Sequence, residues 1–296
     1  MRELDELYPF KHDIVSELYI KTADENYVAA RWCFANGLDT DFFWLAAHSM
    51  EKYLKAALLL NELPAKTYSH DIERLYADVR PLAPELLPTM LTVPDHLPTG
   101  IFSRGDEPVE KFVKRLYFYG QPDNRYSFIG YIRRGSDIIK FDQLVFAVRR
   151  LCQPLEAHFL GKRFKDRSDV PNQTRRDRMI KDDPSSRDLY SHLEEIISGK
   201  RGKVLQRVLL NWNFPFAPAD YKHGRMLYGS MTRNPVLVRR FLDPLDAGKP
   251  ANDKHADDLW AWAKENLYFP REFIKVYEKA RADRKAAAKG KQAGKS

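Results

Sequence analysis

From Asp39 to Asn61 the apolar residues Phe43, Ala47, Met50, Leu54, Ala57 and Leu58 recur mostly three and four apart. That is the period of one helical face, and a stripe so long must be buried against other elements. Upstream, Thr22-Ala23-Asp24-Glu25-Asn26 reads as a helix start, with Thr or Asp capping and acids in the first turn. Apolar residues then follow at Tyr27, Ala30, Arg31-Trp32 and Phe34, and Asn36-Gly37 closes the helix. So short a connection predicts two antiparallel neighbours.

Ser69 caps a third expected helix that runs to about Val79, where Pro81 and Pro84 stop it. Residues 81–106 hold five prolines together with Gly100 and Gly105, and read as a long insertion rather than a regular element. Helix resumes at Glu107-Pro108 and runs to about Tyr117, and the stretch Gly120–Asn124 is a turn. A long helix is expected from Ser136 to about Leu160, with Ile139, Phe141, Leu144, Val145, Val148, Leu151, Cys152, Leu155 and Phe159 as core and a kink or break at Pro154. Residues 161–185 lack periodicity and read as a basic linker. Further short helices are expected at Ser186–Ser198, Val204–Asn211, Ala219–Tyr228, Pro235–Leu242 and Asp253–Ala280. Between the second and third of these, the aromatic-rich loop 211–218 must pack onto something. From Arg281 the Ala, Lys, Gly and Gln composition predicts a disordered basic tail. The fold class expected is all-α, an up-and-down helical bundle over residues 1–160 followed by a smaller helical region over 186–280.

Hydrophobic residues make up 44% of the 296 positions, enough for a substantial core. No run of about 18 uncharged apolar residues occurs, so no membrane span is expected. The N-terminus is acidic with no apolar stretch behind it, unlike a signal peptide. Cys33 and Cys152 are too few for a disulfide framework or a Cys-rich zinc site, and a reducing cytoplasm fits best. The net charge of +8 is divided unevenly. Residues 1–160 carry 19 basic against 23 acidic side chains, and residues 161–296 carry 30 against 18. The positive half can attract polyanions through counterion release, or it can be solvated surface.

Three pieces of the first half stand in a recognisable order: Ala47-His48-Ser49-Met50-Glu51-Lys52-Tyr53-Leu54-Lys55-Ala56 on a helix, Ser69-His70-Asp71-Ile72 at a helix start, and Asn124-Arg125-Tyr126 ahead of the last long helix. This succession resembles the HEPN family over roughly half the chain. Lys52 and Lys55 share a helix face, and Glu51 and Lys55 form an i,i+4 pair; the face is either solvated surface or a contact for phosphate or a partner. His70-Asp71 reads as capping. Arg125 in its turn, with Tyr126 beside it, can clamp a carboxylate or phosphate, or form a buried ion pair with the bundle. The resemblance implies a homodimer, RNA or a nucleotide as ligand, and a separate nucleotidyltransferase chain as partner. This chain has neither the Gly-Ser turn nor the Asp-x-Asp of such an enzyme.

Some members of that family are metal-independent endoribonucleases in which an Arg is followed four to six residues later by a His, serving as phosphate clamp and acid/base. The one such pair here is Arg187 and His192, outside the part that resembles the domain. No glycine-rich phosphate loop, H-E-x-x-H, nucleophile elbow or carboxylate-rich metal cluster occurs, and the eight histidines are scattered singly. No cofactor and no metal site is therefore expected. The reading is a non-catalytic binding protein with Lys52, Lys55, Arg125 and Tyr126 as candidate contacts, and a toxin or defence endoribonuclease as the alternative.

Overall fold

Helix α2 (Lys21–Ala35) follows without interruption from α1 (Tyr8–Val15) through one π-helical turn, Ser16–Ile20. It therefore starts well before the Thr22–Asn26 boundary expected of it. Its end is as expected. Gly37 takes φ +72°, and the amides of Leu38 and Gly37 reach back to the carbonyls of Cys33 (2.9 Å) and Phe34 (3.3 Å). This is the Schellman closure that glycine permits. Helix α3 (Asp39–Leu60) turns back against α2 and buries Phe42, Phe43, Ala46, Met50, Tyr53, Leu54 and Ala57. The computed structural model describes residues 8–97, 105–126, 130–157, 174–181, 192–224, 229–233, 250–267, 269 and 271–293.

Two compact units divide the chain: Met1–Gln121 with Arg133–Met231, and Pro122–Ile132 with Thr232–Ser296. The first holds α1 to α9. Helix α4 (Ile72–Val79) is capped by Asp71, which accepts from the Arg74 amide at 3.0 Å, rather than by Ser69. Past it, the described residues of the insertion take up regular structure that their prolines do not suggest. Met90–Leu91 (β1) pairs antiparallel with Glu107–Pro108 (β2), and Leu86, Leu87, Leu91, Val93 and Leu97 are buried. Helix α5 (Val109–Tyr119) ends at Gly120, where a Cβ would lie 2.4 Å from that of Ala47; only glycine lets α5 finish so close to α3.

Helix α6 (Asp137–Arg149) is buried nearly all round and stops five residues before Pro154, so the long helix expected here is a shorter one. The chain beyond it is held by Asn61, whose side-chain amide donates to the carbonyls of Leu151 and Gln153 and accepts from the Leu155 amide. Within the expected linker, a capping box of Thr174 and Asp177 opens the short helix α7 (Arg175–Ile180). Helices α8 (His192–Ile197) and α9 (Lys203–Leu210) pack on α2, in the same unit as the first half of the chain. The aromatic loop after α9 packs as well: Phe216 meets Tyr27 and Phe146, and Trp212 stacks on His223. No helix begins at Ala219 as far as Gly224, and the expected helix Pro235–Leu242 lies outside the described residues.

The second unit contains α10 (Pro250–Asn266) and α11 (Arg271–Ala293) around a small core of Ala256, Trp260, Ala263, Phe269 and Tyr277. Helix thus continues through most of the segment expected to be a disordered tail. Its Ala- and Lys-rich composition has high helix propensity, and Arg281 and Lys285 both pair with Asp257. Strand β3 (Tyr131–Arg133) pairs with β4 (Met231–Arg233). Among the described residues no helix is long and apolar enough to cross a membrane, and both cysteines are buried and free.

Ion pairs run through the core of the first unit. Asp24 and Arg31 stand seven residues apart on α2, and Asp142 and Arg149 seven apart on α6. Arg149 donates to Asp24 (Nε to Oδ1, 2.9 Å) and, through Nη1 and Nη2, to Glu194 of α8 (2.7 and 2.8 Å). Arg31 pairs with Asp142 and also donates to the carbonyls of Val208 (3.0 Å) and Asn211 (2.6 Å) at the end of α9. The phenols of Tyr53 and Tyr27 complete the two carboxylates, donating to Asp24 and Asp142 at 2.6 Å each. Burial, and after it the Asp142 charge, push the Tyr27 phenol well above its usual range, so it remains a donor. A further cluster joins Arg115 and Lys140 to buried Glu107, with Asp137 on Arg115.

Replacing Arg149 by Met leaves Asp24 and Glu194 without their cation, and should cost about 3–5 kcal/mol in urea unfolding. A double Asp24→Asn, Arg149→Met variant should recover part of that loss. Glu107 gives a pH signature. Burial raises its pKa, but the hydrogen bonds and charges of Arg115 and Lys140 outweigh burial and hold it below the ordinary 4.5. A carboxyl lowered on folding contributes stability above its unfolded pKa and loses it as pH falls toward the folded value. The stability difference between wild type and Glu107→Gln should therefore be constant near neutrality and shrink below about pH 4.5.

Candidate functional site

Two pieces of the sequence motif meet in space. Glu51 on α3 is buried, and its carboxylate is surrounded by three nitrogens. Lys55 Nζ donates to Oε1 at 2.6 Å, His70 Nδ1 lies 3.0 Å from Oε2, and His48 Nδ1 lies 3.5 Å from Oε2. Lys55 also donates to the Ser69 carbonyl at 2.7 Å, tying the turn before α4 to α3. Ser69 holds φ +48°, ψ −120°, a conformation glycine usually takes and a strain of order 1–3 kcal/mol for serine. Burial pushes the Glu51 carboxyl upward, but hydrogen bonds from His48, Lys55 and His70 prevail and hold it at about 2. It is a carboxylate at neutral pH. The His48 and Trp44 rings meet in a T-shaped contact, with centroids 4.0 Å apart.

The other expected contacts are placed differently. Lys52 points the opposite way from Lys55, toward α2, donating to Asn26 Oδ1 at 2.5 Å; burial lowers its pKa. The two lysines do not share one free basic face, because the i,i+3 offset lets one side chain lean onto α2 and the other onto α4. Tyr126 lies in the second unit, in a 3-10 turn, and is 70% exposed. Arg125 shares that turn, but its side chain is outside the described residues. Of the Arg–His pair, Arg187 is outside the described residues; His192 opens α8, whose next amide, Leu193, donates to Asp24 at 3.1 Å.

A second feature escaped the sequence. Arg31 takes the buried position on α2 and Trp32, counted there among the apolar recurrences, is 48% exposed. Trp32, Ala35 and Asn36 form one wall of a groove of about 300 Å³, and Lys203, Val204, Arg207, Val208 and Asn211 of α9 and its end form the other. Val204 is 75% exposed, and Lys203 and Arg207 are exposed cations beside it. An aromatic face, an apolar floor and two cations at the rim suit a flat, anionic ligand. The only sequence signal for it was the basic stretch Lys200-Arg201-Gly202-Lys203, read as part of a generally basic half.

Comparison with protein-family models, with curated proteins and with solved structures finds no match to this chain.

Since Lys52 is tied to α2, Lys52→Ala should lower stability by about 1.5–3 kcal/mol, the range for a hydrogen bond to a charged group. Thermal unfolding should move while affinity for any polyanion at the Trp32 groove stays within twofold or so.

Proposed function

We propose that this chain is a HEPN-like binding protein for single-stranded nucleic acid, with no catalytic role of its own. The observation that carries the binding reading is the groove between α2 and α9. A base stacked on Trp32 would lie over Val204 and Val208, with the flanking phosphates at Lys203 and Arg207. Stacking on an exposed aromatic is worth about 1–3 kcal/mol per base, and phosphate contacts add a salt-dependent term. The excess of 30 basic over 18 acidic residues after position 160 favours the same class of ligand.

Support for the HEPN-like part is the interlocking of the Glu51–Lys55 helix with the Ser69-His70-Asp71 turn, through Glu51 and Lys55. A homodimer, a cytoplasmic location and a separate nucleotidyltransferase partner belong to the same proposal and rest on the resemblance. Binding is preferred to RNA cleavage because the Arg187–His192 pair lies outside the part of the chain that resembles the domain.

Fluorescence anisotropy with a labelled oligouridylate should show binding that weakens steeply between about 50 and 200 mM salt. Trp32→Ala should cost about 1–3 kcal/mol of affinity, and the Lys203→Ala, Arg207→Ala double variant should lower the salt slope by about two phosphate contacts. Equal affinity in Trp32→Ala and wild type would remove the groove from the reading. Cleavage of the oligonucleotide that disappears in His192→Ala would replace binding with catalysis.

A further inference from the structure

The eight histidines are scattered along the sequence, yet the fold brings His48 and His70 to the same carboxylate. One ring nitrogen of His48, a Glu51 carboxylate oxygen and one ring nitrogen of His70 all lie within 4.8 Å of one another. Glu51 Oε2 is 3.0 Å from one imidazole nitrogen and 3.5 Å from the other. Ligands held about 2.0–2.1 Å from a tetrahedral zinc ion stand about 3.3 Å apart, so these two edges bracket the required separation. The third edge, between the two rings, can close by movement of His70, whose side chain is 67% exposed.

We propose that His48, Glu51 and His70 form a binding site for a divalent transition metal, with zinc as the natural occupant class. Two imidazoles and one carboxylate select zinc, cobalt or nickel over calcium and magnesium, which require oxygen ligands throughout. The elements around the site fix its parts. His48 and Glu51 are three apart on α3 and therefore project from one face of the helix. Lys55 holds Glu51 by Oε1 and the Ser69 carbonyl by the same ammonium, which leaves Oε2 directed at both rings and sets the turn that delivers His70. Lys55 is thus a positioning residue, acting as outer partners of metal ligands do. Both rings would bind through Nδ1 with Nε2 carrying the remaining proton, and any Nδ1 proton present in the free protein would pass to solvent. The exposure of His70 leaves a fourth position open to water or an anionic ligand.

The site is separate from the groove at Trp32, and its test is independent of nucleic-acid binding. Tag-free full-length protein, stripped with chelator, is titrated with Zn²⁺ in a calorimeter and with Co²⁺ followed by its visible absorption. One ion per chain should bind, with the intense d–d bands of low-coordinate cobalt. His70→Ala changes an exposed side chain and should fold normally while weakening affinity by at least about tenfold. His48→Gln should do the same and abolish the cobalt spectrum, with unfolding curves in chelator confirming an intact fold. Failure of the wild type to bind either ion, or equal affinity in wild type and both histidine variants, would overturn the assignment and leave Glu51 a carboxylate in a plain ion-pair cluster.

Discussion

The first unit depends on two ion pairs buried between α2 and α6. Asp24 and Arg31 on one helix meet Arg149 and Asp142 on the other, acid to base at both ends of a seven-residue interval. The reciprocity requires antiparallel helices in one register. Any slip would strand four charges in the core, each costing several kcal/mol. Burial itself pushes the Asp142 carboxyl upward against the pull of Arg31, a sign that the pair is costly to place even when complete. Its value is that few other arrangements satisfy it.

The same pairs recruit the helices that follow. Glu194 of α8 completes Arg149, and the carbonyls at the end of α9 complete Arg31. That second contact has a consequence for the surface. With Arg31 turned inward onto the end of α9, the next residue, Trp32, must turn outward beside the flank of α9, since successive helix positions diverge by about 100°. The groove therefore follows from the core network. The same logic of shared partners governs α3 and α4, where Lys55 and Glu51 secure the Ser69–His70 turn. There Glu51 is buried but His70 is exposed and its ring can move, which suits a ligand site better than a structural one.

Much of the helical plan was legible because it is local. The stripe Phe43–Leu58, the Asn36-Gly37 stop and the Asp71 cap each act within a turn or two of chain, and the structure has α3, a glycine closure and α4 at those places. Other expectations failed where neighbours overrode local signals. Pro-rich residues 81–106 hold a strand because buried leucines anchor them, and the Ala-Lys segment after Arg281 is helical because Asp257 engages it. Arg31 and Trp32 exchanged the positions hydropathy would give them. The seven-residue spacing of Asp and Arg on two apolar helix faces was visible, but it had meaning only once the two helices were opposed.

By itself the sequence determined a mostly helical chain, several of its helix stops, and the motif order Glu51–Lys55, Ser69–Asp71 whose two parts lie on α3 and at the start of α4. Helix periodicity and capping need only near neighbours, so they can be read from residues in a row. Tertiary structure alone decided which charges are buried as pairs, that His48 and His70 converge on Glu51, and that Trp32 faces α9. Those outcomes depend on desolvation and on groups up to 180 residues apart, and a charge is affordable in a core only where the fold has already placed its partner.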